Sequence, residues 1–374
     1  MKRQVAARRA SHIACVATIA CALLSGCSTG GAMPLLPVSL DTDWIADAGP
    51  EGAPPRQDWW RTLGGPALDA LIVHTVSVSP TLQAAAAKVA QAGAQARISG
   101  AARKPQAGAS GGLNYYRLPP ELAQTLTNVG PGIAYAQLQI GSSWELDFWG
   151  RAKNAARADA YAHLGAEQDY RAALVSLIGQ VANAYVQYRT NAARLAIAQG
   201  AAAAMHHGVA LAEARRRSGA TDAGDPAQAR IAASQQDAQV AALKAAVAQA
   251  RHAVALLAGM TQAEAAPLLD RPAVIPLPPA SPDPGVPRDL LRARPDVMEA
   301  ELVARAQYAR LKSAKASLYP AFSLRGAIGF SATTVGDSSL TNLFSWDKRL
   351  ISNGLSLTLP LFDHGSTNPL RGRV

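Results

Sequence analysis

Cysteine is scarce in this chain, with three residues among 374, and all three lie within the first 27 positions. Cys15 and Cys21 stand in an apolar run that follows a basic start, which is the pattern of a cleaved secretory signal. Removal of residues 1–26 leaves Cys27 as the last thiol. The exported chain is therefore expected to have no internal disulfide, no cysteine-based metal site and no cysteine nucleophile.

Phenylalanine and methionine are also rare, with five of each, whereas alanine is abundant. Because alanine favours helices that approach closely, this composition favours long, thin helices over one thick globular core. The mean hydropathy is near zero, at +0.02. We expect one segment near the N-terminus, and no other, to be apolar enough to cross a bilayer as a helix. The composition thus argues against a chain disordered throughout and against a polytopic helical membrane protein.

Motifs that carry catalysis or metal binding are lacking as well. The seven histidines form no pair at i, i+4 spacing, and no phosphate-binding loop occurs. The Gly-x-Ser-x-Gly spacing occurs at Gly26–Gly30 and at Gly108–Gly112, but the first overlaps the end of the predicted signal and the second belongs to a predicted strand, so neither is expected to be a strand-to-helix turn that carries a nucleophile. The net charge falls from +10 to +6 when the signal removes its four basic residues, and the remaining basicity is spread along predicted helices. We therefore predict no catalytic residue, no metal, no enzymatic activity and no nucleic-acid partner.

The apolar run ends in Leu24, Ser25, Gly26 and Cys27, and this tetrapeptide resembles the bacterial lipobox. In that motif a diacylglycerol is attached to the cysteine thiol, and cleavage leaves the cysteine as the first residue. The resemblance implies an N-acyl and S-diacylglycerol lipid on Cys27, with no other cofactor. Because Ser28 follows rather than aspartate, it also implies the outer membrane. A cleaved signal peptide with an incidental cysteine is the alternative.

The chain repeats itself at a shift of 215 residues. The residues that coincide are Pro80 with Pro295, Pro105 with Pro320, Gly111 with Gly326, and Gly150 with Gly365. Between the two prolines of each repeat the sequence predicts a helix, over 81–103 and 296–318, because proline suits a helix start and stops a helix further on. The two halves are therefore expected to share one structural plan.

After the second proline of each repeat, apolar and polar residues alternate with a period of two. This pattern predicts strands with one apolar face, in hairpins at 105–147 and 320–362. The apolar positions are Ala107, Ala109, Leu113, Tyr115, Leu138, Ile140, Trp144, Leu146, Phe322, Leu324, Ile328, Phe330, Leu355, Leu357, Leu359 and Leu361. The strand lengths match transmembrane barrel strands, and a half-buried soluble sheet is the alternative. Four strands cannot close a barrel, so a membrane role requires several chains to share one.

Two long helices are predicted between the hairpins, over 151–217 and 226–257. The first contains no proline, and its apolar residues recur every seven positions, which predicts a coiled-coil seam. We expect Gly219 to follow the C-cap of the first helix and Asp225 to be the N-cap of the second. The two helices would then form a tall antiparallel hairpin.

Four motifs, in this order, resemble the TolC-like outer-membrane efflux lipoproteins. They are Trp59–Leu63 with Pro66–Ile72, Ser143–Arg151, Asp289–Val297, and Leu355–Phe362 with Asp363 and Gly365. The resemblance implies a mixed fold of periplasmic coiled-coil helices (an α-barrel) and four membrane strands per chain. It further implies a homotrimer with a twelve-stranded β-barrel in the outer membrane of a Gram-negative bacterium. The implied function is passive conduction of drugs or other small molecules, received from a periplasmic adaptor and an inner-membrane RND-type pump.

The resemblance also implies a role for the turn between the long helices. It places this turn at the periplasmic tip, where adaptor hairpins bind and polar residues help to close the entrance. The matching positions are Arg217, Gly219, Thr221 and Asp225. Plain helix capping by Gly219 and Asp225 is compatible with such contact but does not require it. A lipid-anchored periplasmic adaptor is the alternative function, although it would need compact soluble β-domains beside one hairpin.

The predicted domain boundaries follow from these elements. They are a signal peptide at 1–26, an irregular lipid-anchored arm at 27–58, a first repeat at 59–260, a proline-rich linker at 261–294, an incomplete second repeat at 295–365 and an aberrant tail at 366–374. Between Pro267 and Pro287 eight residues are proline, so this part of the linker is expected to be extended and semi-rigid. Internal symmetry would extend the second repeat to about residue 475. We therefore predict a truncated or frameshifted product that lacks the second long hairpin and forms no sealed tunnel.

Overall fold

The structure is a computed structural model that describes residues 58–63, 65–119, 132–271, 274–277, 293–335 and 339–360. The predicted signal, Cys27 with its lipobox residues Leu24, Ser25 and Gly26, and the predicted tail all lie outside these residues. The chain divides into two units. Of the described residues, the first unit contains 92–163 and 302–360, and the second contains those up to 91 and those from 164 to 301.

Helices and strands alternate in blocks along the described part of the chain. In order, they are α1 (Pro66–Val78), α2 (Pro80–Ala101), β1 (Gln106–Arg117), β2 (Gly132–Leu146), α3 (Arg151–Arg217), α4 (Gly224–Ala258), α5 (Gln262–Leu269), α6 (Pro295–Ala316), β3 (Ala321–Thr333) and β4 (Arg349–Thr358). Three short 3₁₀ turns lie at Trp59–Leu63, Leu340–Asn342 and Trp346–Lys348. Helices α2 and α6 begin at a proline, whose fixed φ and missing N–H suit a first helical residue.

The four predicted strands are confirmed, and they form one antiparallel sheet in the order β1-β2-β3-β4. Each hairpin pairs within itself, while β2 and β3 join the hairpins of the two repeats, from Tyr135 opposite Thr333 to Leu146 opposite Phe322. This central pairing connects residues nearly two hundred positions apart. The sheet is therefore the place where the two repeats meet within the first unit.

The core of the second unit lies where α1, α3, α4 and α5 pack together. Its most deeply buried side chains are Leu68, Leu71, Ile72, Val181, Tyr185, Val254, Ala258 and Leu269. Of the four apolar residues that recur every seven positions, Val181 and Tyr188 are buried, whereas Leu174 and Leu195 are half-buried. Ile178 and Tyr185, which lie between them, are buried, as expected for a coiled-coil seam. Alanine occupies many remaining core positions, so the helix backbones approach closely.

A buried arginine fastens α5 to α3. The Arg189 guanidinium is 6% exposed and donates to the carbonyl oxygens of Leu268 and Arg271 at 3.4 and 3.0 Å. Its Nε also donates to the Tyr185 hydroxyl at 3.0 Å, and the guanidinium lies over the rings of Tyr185 and Tyr188. The arginine thus satisfies carbonyl groups that the end of α5 leaves without a helical partner.

The extended conformation predicted between Pro267 and Pro287 is wrong at its start, because Pro267 lies within a helix, α5, that covers Gln262–Leu269 of the predicted linker. The cause is a capping box: the Thr261 side chain accepts from the Glu264 amide, and the Glu264 carboxylate accepts from the Thr261 amide at 2.8 Å. The Thr261 hydroxyl also donates to this carboxylate at 2.8 Å, and the two bonds lower the pKa of Glu264. Pro267 lies within this helix.

The expectation of a single bilayer-crossing helical segment is also wrong by length and composition. Both α3 and α4 contain a stretch that is long and apolar enough to cross a membrane. If α1 and α2, which are bent by 45° at their junction, are counted as one span, they make a third. The stretches in α3 and α4 are rich in alanine, which raises the hydropathy of a helix although its small side chain also serves close helix packing. At 67 residues, α3 is about 100 Å long, more than three times the thickness of a hydrocarbon core.

Candidate functional site: an amphipathic sheet and its helix junction

One face of the four-stranded sheet is mostly apolar, with Ser142 and Asn353 as polar residues in its middle and Arg349 at one end. Residues directly opposite each other on antiparallel strands share a face. Ala109 pairs with Ile140, Ile140 with Ile328, and Ile328 with Ile351. The same holds for Trp144, Leu324 and Leu355, and for Leu146, Phe322 and Leu357. The apolar residues found separately in each strand by their alternation therefore lie on one common face.

This apolar face is open to the surroundings of the chain. Ile140, Ile328, Ile351 and Leu355 are 57 to 66% exposed. A half-buried soluble sheet would cover such side chains with other parts of its own chain, and the described residues do not cover them. An apolar face of this extent indicates contact with lipid or with another protein.

The height of the apolar face suits a membrane. From Leu357 to Arg349 the strand advances eight residues, about 27 Å, or about 20 Å along the normal of a barrel tilted as transmembrane barrels are. An aromatic pair lies near each end of this band. The ring centroids of Phe148 and Phe322 are 5.4 Å apart at one end, and those of Phe330 and Phe344 are 5.8 Å apart at the other. Transmembrane barrels carry an apolar band of roughly 25 Å between two aromatic girdles.

The opposite face of the sheet is polar and lined with small residues. Its hydroxyl and amide groups come from Gln106, Ser110, Gln139, Ser143, Ser323, Ser352 and Ser356. Across the middle of this face, Gly108, Gly141 and Ala327 form one rung with Ser352, and a hollow lies over that rung. The sheet is thus polar on the side that would face the inside of a barrel.

Both outer strands of the sheet have a free edge. Strand β1 pairs with β2 alone, and β4 pairs with β3 alone, within the described residues. An open edge in lipid leaves backbone N–H and C=O groups without partners, each at a cost of several kcal/mol. The sheet therefore needs further strands on both sides if its apolar face meets lipid.

The junction between β2 and α3 is held by a carboxylate. The Asp147 oxygens accept from the backbone N–H groups of Ala152 and Lys153 at 3.1 and 2.7 Å, which are orphan donors in the first turn of α3. Gly150 lies immediately before the helix with φ of 77°, a left-handed conformation that favours glycine, and it has no side chain to cap the helix. Asp147 supplies the cap from three residues further back.

Two further contacts tie this junction to both repeats. The Trp149 indole donates to the Pro320 carbonyl at 2.8 Å, and its ring stacks on Tyr319 at 4.9 Å. Arg151 binds the Glu145 carboxylate with two bonds, at 2.9 and 2.6 Å. The hydrogen bond to Glu145 raises the pKa of Arg151, which stays charged. The junction thus holds the first turn of α3 to the end of β2 and to the residues just before β3.

The predicted tip residues lie together in the turn between α3 and α4, within the second unit. Gly219 has φ of 73° and donates to the Arg216 carbonyl, while Ala220 donates to the Arg215 carbonyl. These two bonds form a Schellman motif, which confirms Gly219 as the residue after the C-cap. Arg217, at the end of α3, is exposed.

The prediction of Asp225 as an N-cap is wrong. Helix α4 begins at Gly224, and its N-cap residue Ala223 provides no side-chain bond. The Asp222 carboxylate instead accepts from the Gly224 amide at 2.7 Å, and the helix begins two residues earlier than expected. Asp225 lies in the first helical turn, where its charge suits the helix dipole, and its carboxylate accepts from the Thr221 hydroxyl.

Sequence reasoning missed the cap by Asp147. Asp147 escaped notice because a cap is sought at the residue before the helix, and glycine stands there. The available signal was a carboxylate between a strand pattern and a proline-free helix pattern.

The open sheet and the long helices define a class of proteins whose chains share one membrane barrel. Residues 71–260 and 286–371 match the family described as outer membrane efflux protein, and this chain belongs to that family. It is 28% identical over 361 residues to the pyoverdine export outer membrane protein OpmQ of Pseudomonas aeruginosa, covering 94% of this chain and 74% of OpmQ. It is 32% identical over 323 residues to the fusaric acid resistance protein FusA of Burkholderia cepacia, covering 83% of this chain and 58% of FusA.

Among solved structures, the outer-membrane channel OprN superposes with a TM-score of 0.76 at 27% identity, over 90% of this chain and 76% of OprN. The match confirms the TolC-like combination of helices and membrane strands. The similar proteins are outer-membrane efflux components and channels, not enzymes, and they give no support to the periplasmic adaptor.

Proposed function

We propose that this chain is the outer-membrane component of an efflux system, through which small molecules leave without further chemistry. The observation that carries the proposal is a sheet with an exposed apolar face, a polar opposite face and two free edges. Family membership supports the same conclusion. Three copies would supply twelve strands, which is enough to close a barrel and to pair every edge.

The partners in the proposal are a periplasmic adaptor and an inner-membrane pump of the RND type. The adaptor would bind the turn that contains Arg217, Gly219, Thr221 and Asp225, since this turn is the end of the α3–α4 hairpin. An acyl anchor on Cys27 would hold each chain to the outer membrane beside its strands. OpmQ and FusA are named for pyoverdine and fusaric acid, so the compounds handled differ among relatives.

The first experiment asks whether the chain inserts and oligomerises. The full chain, expressed with its signal, is expected in the outer-membrane fraction as a heat-modifiable oligomer whose hairpins resist protease. A monomer that stays soluble without detergent after deacylation, with both hairpins cleaved, would overturn the proposal.

A pair of neighbouring substitutions tests which face meets lipid. Ile328 lies on the apolar face and Ala327 on the polar face of the same strand. An arginine near the bilayer midplane costs about 2–4 kcal/mol on the lipid face. We therefore expect Ile328→Arg to lose most of the oligomer and Ala327→Arg to retain it. Equal tolerance of the two variants would show that the apolar face does not contact lipid.

The lipid anchor has its own test. Labelling cells with a clickable palmitate analogue should mark the chain, and Cys27→Ser should abolish the mark. Label that persists in Cys27→Ser would place the acyl group elsewhere.

A further inference from the structure

One arginine stands alone on the polar face of the sheet. Arg325 of β3 lies directly opposite Ser143 of β2 and Gly354 of β4, and it is exposed. It makes no hydrogen bond or ion pair with any residue that the structure describes. The charge on this guanidinium is thus balanced neither by a neighbouring strand nor by the loops that are described.

The nearest carboxylate on that face is already occupied. Glu145 lies one rung away on the polar face, opposite Ser323, and both of its oxygens are bound by Arg151. Strands β1 and β4 carry no charged residue on the polar face over their described lengths. Within the part of the chain that the structure describes, Arg325 is therefore a positive charge without a counterion on the surface that would face the barrel lumen.

Arg325 lines a hollow that has room and hydrogen-bonding groups. Gly108, Gly141 and Ala327 form its floor, where side chains do not extend beyond Cβ. The amides of Gln106 and Gln139 and the hydroxyls of Ser143 and Ser352 also line the hollow. A guanidinium binds carboxylate and related oxyanions in a bidentate fashion, and neighbouring amide and hydroxyl donors complete such a site.

We propose that Arg325 and this hollow give the barrel a preference for small organic anions, such as carboxylates and sulfonates. The inference rests on the proposed function, because it takes the polar face as the lumen. Each copy in a shared barrel contributes the same arginine at the same height. A ring of like charges inside low-dielectric walls raises the local concentration of the opposite charge.

The test uses cysteine probes, since the native cysteines lie in the predicted signal and lipobox. Ser143→Cys places a thiol opposite Arg325, and Gln139→Cys places one four residues away on the same face of β2. Each variant is reacted, in detergent or in proteoliposomes, with two methanethiosulfonate reagents, one with a sulfonate and one with a trimethylammonium group. The ratio of the two rate constants reports the local charge. The measurement does not depend on whether the channel conducts.

The expected ratio follows from Coulomb's law. With a unit positive charge about 7 Å from the thiol in water of low ionic strength, the rate constant of the anionic reagent should exceed that of the cationic reagent by about fivefold. At 1 M salt, screening should remove most of this difference. At Gln139→Cys, roughly 13 Å along the strand, about twofold or less is expected. Adding Arg325→Gln to Ser143→Cys should remove the faster reaction of the anionic reagent at position 143, whereas adding Arg325→Lys should preserve it.

The outcomes separate this inference from the proposed function. A ratio at Ser143→Cys that is unchanged by Arg325→Gln would overturn the anion preference while leaving the polar face accessible to water. If neither reagent reacts at position 143 or 139 in the folded oligomer, the polar face is not a water-filled lumen, and the channel proposal fails together with the inference. Loss of the excess in Arg325→Gln with recovery in Arg325→Lys supports the inference.

Discussion

Replacing Asp147 tests how the strand-to-helix junction is held. Its carboxylate caps two amides of α3, those of Ala152 and Lys153, at 3.1 and 2.7 Å. Loss of a helix cap costs about 1 kcal/mol, and loss of a negative charge at a helix N-terminus costs up to about 1 kcal/mol more. Gly150 cannot replace the cap because it has no side chain. We therefore expect Asp147→Ala to weaken the first turn of α3 by about 2 kcal/mol.

Hydrogen exchange of individual amides measures this loss directly. A change of about 2 kcal/mol in local opening corresponds to roughly thirtyfold faster exchange at Ala152 and Lys153. Asp147→Asn keeps an acceptor oxygen but loses the charge, so an intermediate increase is expected. Asp169→Ala removes a carboxylate from the same helix, where none of the described residues bonds to it, and serves as the control.

The result that refutes this account is specific. If the two amides exchange in Asp147→Ala as slowly as in the unchanged chain and in Asp169→Ala, the carboxylate does not hold the junction. Faster exchange throughout α3 would instead indicate global destabilisation, so amides in the middle of the helix are followed as well.

Two further predictions concern the second unit. Arg189→Met should lower the free energy of local opening of α5 by about 3 kcal/mol, because two carbonyls lose a charged hydrogen-bond donor. The control is Arg194→Met, which removes an exposed arginine and should change little. Amide hydrogen exchange in α5 measures both effects. The lowered pKa of Glu264 means that its capping box with Thr261 is intact above the ordinary glutamate pKa and is lost as the pH falls through the lowered value. The protection factor of the Thr261 amide should therefore drop below about pH 4, and Glu264→Gln should abolish that dependence.

Local rules explain which sequence predictions succeeded. Proline marked the starts of α2 and α6 because its geometry acts on the residues next to it. The glycine after α3 was predicted correctly because a left-handed residue there satisfies carbonyls within the same turn. The cap of α4 was assigned wrongly because Asp222 and Asp225 stand close enough for either to serve. Local sequence does not rank two such neighbours.

The sequence by itself determined the period of each element and the apolar face of each strand, since both depend on residues a few positions apart. The tertiary structure alone decided that β2 pairs with β3 in a register that places four apolar faces together. It also decided that none of the residues described beside Arg325 on the neighbouring strands is a counterion for it. The paired residues of β2 and β3 lie far apart in the chain, and their pairing is set by how the strands assemble, which no short-range pattern specifies.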